Sequence, residues 1–250
     1  MKGEISEHRG VLNRNWRTVT VVCAMTIAFE MFFYMLGQSY SSGNGGLMML
    51  LGAAMIWSAI SVPAVAAGPS CLWDRIIRGG CVADCTFIVF CFAWIFEGGD
   101  GFSFMSVVKC YCVIASVVLL ICMAVMIPLK LWCRYAVAVA VSGIIILSLL
   151  SPLWVNSMLD TVDDYDSKSE MVAWAVRINP FFAMCNSVGG DTGFAWTEAN
   201  WMYSYTAVGE DIPVGEIEWY QTVILYLSIA ALLCVAMWVR RRGDSSAQCV

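Results

Sequence analysis

Charge is scarce in this sequence: Asp, Glu, Lys and Arg make up 13% of its 250 residues, where soluble domains carry about 25%. So few charges cannot cover the surface of a soluble chain of this length, and 60% of the residues are apolar against the roughly 45–50% usual in water. Histidine is almost missing, the single His8 lying in the polar amino-terminal tail. No C-x-x-C spacing occurs among the twelve cysteines, so the clustered His and Cys that zinc and haem sites draw on are lacking and no cofactor is expected. The patterns G-x-x-x-x-G-K-[ST], H-E-x-x-H and G-x-S-x-G are missing too, and catalysis is not expected. Nor is there a basic stretch interleaved with aromatics of the kind that binds nucleic acid.

What is present is a series of long apolar runs. They fall at about residues 18–36, 47–68, 81–96, 104–128, 135–155 and 219–239, each near the length that crosses about 30 Å of hydrocarbon. The reading is one transmembrane domain over residues 1–250, an all-α polytopic membrane protein with a six-helix bundle. The first run lacks a small-residue cleavage site and reads as a signal anchor. Pro63 is expected to kink the second span. The third is the shortest and carries Asp84 near its start, so a tilted or partly re-entrant helix fits it as well. Ala136, Ala140, Ser142 and Gly143 in the fifth are small enough to let helices approach closely. Most cysteines (Cys23, Cys85, Cys91, Cys110, Cys112, Cys122, Cys234) sit inside apolar runs and read as small packing residues.

Between the fifth and sixth spans the character changes. Of the 19 acidic residues, 11 lie between Asp160 and Glu218, in an external segment over about 156–218 whose acids need only solvent. Cys185 is the single cysteine there, so the segment cannot close a disulfide of its own. Within it, MVAWAVRINPFFAMCNSV is apolar on both sides of Asn179-Pro180; each half is too short to span, and Pro180 breaks any helix joining them. A pair of short interfacial or re-entrant helices before the last span is expected; the alternative is a folded cap that buries its own aromatics.

Lys and Arg segregate sharply between alternate connections. Eleven fall in the two ends and the second-to-third and fourth-to-fifth connections, against Lys168 and Arg177 on the other side, with Lys109 inside a span. The excess marks the cytoplasmic side, so both termini are expected there, in a cell membrane read as a bacterial inner membrane. Trp16, Trp154, Trp219 and Tyr220 stand at span boundaries, where an aromatic belt belongs.

Ionisable residues inside spans are functional candidates by default. Asp84 is close enough to the inner boundary of its expected span to snorkel. Glu30 is about six residues inside the outer end of the first span, and Lys109 about five inside the outer start of the fourth, so both are roughly 8–9 Å deep. They can form an intramembrane pair. The competing reading has Lys109 reaching the headgroups and Glu30 protonated or facing a hydrated gap.

The layout resembles the permease subunit of ATP-binding-cassette transporters of the second exporter class. PAVAAGPSCLWDRIIRGG, from Pro63 to Gly80, is similar to the family's small-residue helix end and charged coupling segment, and INPFFAM, from Ile178 to Met184, to its Asn-Pro-Phe step before the last helix. The family's acidic residue, Gly-Thr and Leu-Leu run after the second span is not legible in WDRIIRGG. The resemblance implies a homodimer or a paired permease in the lipid bilayer, with separate ATP-binding subunits closing on the cytoplasmic loops. It also implies that Leu72–Gly79 is a short surface helix that contacts the ATPase, anchored by Trp73 and by Ile76 or Ile77, with Asp74, Arg75 and Arg78 as polar contacts. Two other readings compete. One is a non-catalytic scaffold or accessory subunit that binds a partner through its acidic external segment; the other is an ion-coupled carrier using Glu30.

Overall fold

With no water inside a bilayer to satisfy backbone N–H and C=O groups, runs this apolar settle as helices. The computed structural model describes residues 2–40, 45–67, 72–96, 102–127, 131–159, 161–162, 164–189 and 218–247. Among them are nine helices: α1 (Lys2–Tyr40), α2 (Gly45–Ala66), α3 (Leu72–Phe96), α4 (Phe104–Ala124), α5 (Leu131–Leu149), α6 (Ser151–Leu159), α7 (Tyr165–Arg177), α8 (Pro180–Gly189) and α9 (Trp219–Ala247). Six contain a stretch long and apolar enough to cross a membrane: Trp16–Ser39, Gly46–Ala66, Leu72–Phe96, Phe104–Ala124, Trp132–Leu149 and Trp219–Val239. The protein is an all-α, multi-pass membrane bundle with short helices before its last span.

Several boundaries differ from those the hydropathy suggested. α1 runs without interruption from the polar tail into the first span, because no proline separates them; its 39 residues extend about 58 Å at the helical rise, well beyond the hydrocarbon thickness. α3 begins nine residues earlier than the expected third span. The polar stretch that hid its start belongs to the helix: Asp74 and Arg78 pair one turn apart, as i,i+4 charges on a helix do, and Arg75 and Arg78 point into the bundle. The expected fifth span is in fact α5 followed by α6, with the break at Leu150 next to Pro152, which has no N–H to continue the ladder.

α2 and α4 form the centre, each with 61% of its apolar stretch buried, against 11% in α5 and 17% in α9. α2 carries no charge and is apolar all round, which suits a helix enclosed by others. α1 packs on α2 and α3; α4 packs on α3, α8, α9 and α2. Where α1 meets α2, the Phe29 ring stacks on Trp57 at 4.8 Å between centroids, and Trp57 Nε1 donates to Thr26 Oγ1 at 2.8 Å.

Proline is handled by a neighbouring helix. Pro63 cannot donate to Ala59 O four residues back, and that carbonyl instead accepts from Ser142 Oγ of α5 at 2.6 Å, so α2 continues through Pro63 to Ala66. Of the small residues noted in the fifth span, Ser142 makes this contact, while Ala136, Ala140 and Gly143 are exposed.

Candidate functional site

The expected break at Asn179-Pro180 is where the non-helical backbone of the α7–α8 hairpin is most deeply enclosed. α7 starts on Asp164, whose carboxylate accepts from Ser167 N at 3.0 Å and Ser167 Oγ at 2.8 Å. These bonds hold the Asp164 carboxyl below the usual carboxylate range. Arg177 closes α7, the sign that suits a helix C-terminus. Asn179 then caps α8 through Oδ1, which accepts from Phe181 N at 3.0 Å, with Pro180 at the first helical position, where its missing N–H costs nothing.

A helix end inside a membrane bundle must place its last carbonyls somewhere, and here three side chains from two other helices, α6 and α9, donate to them. Ala175 O accepts from Ser151 Oγ at 3.1 Å, Arg177 O from Thr222 Oγ1 at 3.1 Å, and Ile178 O from Tyr226 Oη at 2.9 Å. Asn179, fully enclosed, donates through Nδ2 to Leu149 O and to Ser151 Oγ, both at 3.2 Å. The two interrupted helices are thereby fastened to each other and to α9. α8 lies inside the bundle against α2, α4 and α9: Met184 O accepts from Cys110 Sγ at 3.7 Å, and the Phe181 ring lies 3.7 Å from where a Cβ on Gly52 of α2 would stand. Phe182, Ala183, Met184 and Cys185 are buried. Sequence reasoning found Asn179 and Pro180 but not Ser151, Thr222 or Tyr226, since a hydroxyl at a span end carries no signal of what it will cap.

Glu30 and Lys109 are not brought together. The ion pair that the described residues contain is Asp74–Arg78. Glu30 is completely enclosed between α1 and α3, where Thr86 Oγ1 lies 2.7 Å from its Oε1, and its Oε2 has no partner. The reason lies in the packing order: α3 stands between the faces of α1 and α4. Lys109 is half-buried on α4.

The residues expected to contact an ATPase are split. Trp73 is 71% exposed and Asp74 partly so, whereas Arg75 is fully enclosed and Arg78 nearly so. Leu72–Gly79 is therefore the first two turns of α3 and not a separate surface helix. Asp84 changes place for the same reason: it is at the middle of α3, exposed, and accepts from Tyr111 Oη of α4 at 2.8 Å. A boundary drawn at residue 81 made it look peripheral.

No protein-family model, curated protein or solved structure matches this chain.

Proposed function

We propose that this chain is the membrane-spanning permease subunit of an ATP-driven transporter, similar to the second exporter class, with separate ATP-binding subunits and a second permease copy as partners. The observation that supports it most is the α7–α8 hairpin: a broken helical pair placed between the fifth and sixth spans, lodged among α2, α4 and α9. In this reading the six spans form the substrate path, both termini are cytoplasmic in a bacterial inner membrane, and the exposed Trp73 with the projecting end of α1 faces the ATPase. The test is affinity purification of the tagged chain from its native membrane. A stoichiometric ATP-binding chain should accompany it and hydrolyse ATP in reconstituted vesicles; recovery of the chain with no such partner would sink the proposal.

One observation favours the second reading, a non-catalytic scaffold or accessory subunit. Arg75 and Arg78 are turned into the bundle, which leaves the expected coupling segment few polar groups to present. In that case the purified chain brings down a membrane or external protein without ATPase activity.

A further inference from the structure

Between α6 and α7 lies a groove of about 410 Å³, within the roughly 300–1,000 Å³ that small-molecule sites occupy. Ser167, Glu170, Met171 and Trp174 line it from one face of α7 at helical spacing, and Trp154 and Met158, one turn apart, line it from α6. Two indoles and two thioethers thus make up much of its wall, and such broad polarisable surfaces take apolar bodies of varied shape. Trp154 Nε1 donates to Leu147 O at 2.9 Å, so the N–H of that indole is committed and what it offers a ligand is its ring. Glu170 is the acid of the lining. It is exposed and takes no part in the ion pair that the described residues contain, Asp74–Arg78. Lys168 and Arg177, the bases of α7, do not line the groove, although Arg177 stands 6.0 Å over the Trp174 ring.

We propose that this groove binds an organic cation with an apolar body, its charge held by Glu170 and the ring faces of Trp154 and Trp174, its body laid against Met158 and Met171. The sign of the lining decides the class. It carries a carboxylate and no base, so an anion would be repelled, and a zwitterionic phospholipid headgroup would find a partner for its amine but none for its phosphate. A cation is attracted both by the carboxylate and by the negative faces of the indoles. Asp164 and Asp166 at the start of the same helix add to the negative field, with Lys168 opposing them. A compact hydrated ammonium would leave the methionines and most of the volume unused, which is why the ligand is lipophilic. This site calls for neither an ATPase nor a second permease copy, and rests only on the packing of α6 against α7.

The test is equilibrium dialysis of radiolabelled tetraphenylphosphonium with the purified full-length chain in dodecyl maltoside micelles, protein-free micelles serving as the blank. Tetraphenylborate, of the same shape and opposite charge, is the control. Wild type should bind the phosphonium saturably, and the borate no more than the blank does. Glu170→Gln should weaken phosphonium binding by about tenfold or more, and Glu170→Asp, which keeps the charge, should retain most of it. Trp174→Ala should weaken it by about fivefold, whereas Trp174→Phe, which keeps a ring, should lose less. Both side chains are exposed, and unchanged thermal melts check that the variants fold. Phosphonium uptake that does not saturate, equal binding of the two probes, or Glu170→Gln or Trp174→Ala binding like wild type would each overturn the proposal. So would loss of phosphonium binding on adding phosphatidylcholine, which would make a lipid headgroup the occupant.

Discussion

Gly79 and Gly80 differ in what surrounds them, and each makes a prediction. A Cβ on Gly79 would stand 2.7 Å from Cys122 Sγ and 3.1 Å from Val118 Cγ1, so Gly79→Ala should destabilise the bundle by about 1–3 kcal/mol through overpacking. Gly80→Ala meets nothing within the chain and should gain up to about 1 kcal/mol from helix propensity; thermal melts of the two variants in detergent check the opposite signs. Glu30 gives a second contrast. Glu30→Gln keeps an oxygen for Thr86 and should melt close to wild type, whereas Thr86→Val leaves an enclosed carboxyl without its hydrogen-bond partner and should cost about 1–3 kcal/mol. The depth of Glu30 could be read from its position in an apolar run. Its partner could not, because periodicity within one helix says nothing of which helix stands opposite, and charge attraction pointed to Lys109 where a neutral threonine is the neighbour.

At the scale of an element, the α7–α8 hairpin depends on hydrogen bonds from outside itself. Asn179→Ala removes bonds to Leu149 O, Ser151 Oγ and Phe181 N. Hydrogen exchange should rise across 165–189 while the central helices α2 and α4 stay protected; unchanged exchange there would show that the cap is dispensable. The start of α7 responds to pH. Because folding lowers the affinity of Asp164 for a proton, its contribution is present above the ordinary aspartate range and is lost as pH falls through the lower folded value. Protection of the Ser167 amide, measured against its intrinsic exchange rate at each pH, should therefore fall on acidification in wild type and stay level in Asp164→Asn, which still caps. The break between these helices was legible from Asn-Pro alone, since proline removes a donor wherever it stands. The placement of α8 inside the bundle was not, as a ten-residue apolar segment suits an interface and an interior equally.

For the whole molecule, six spans followed from apolar length and from the alternation of Lys and Arg, two signals that do not depend on one another. The third span was the exception, because its first turns hide their charges in an internal pair and an enclosed arginine, which hydropathy counts as polar. Reporter fusions should place Gly45 and Asp164 on one side and Lys130 and Arg242 on the other; Asp164 on the same side as Arg242 would remove the even-span topology. The capping of α7 by Thr222 and Tyr226 has a further consequence, for synthesis. Those two hydroxyls lie more than thirty residues beyond the end of α8, so a ribosome that has just delivered residue 189 has made the hairpin but not all its closing bonds. The hairpin then has to wait, with carbonyls served by water or by the insertion machinery, until the last helix emerges. A nascent chain halted before residue 219 should accordingly be open to protease between α7 and α8, and release of the arrest should close that window in a single late step.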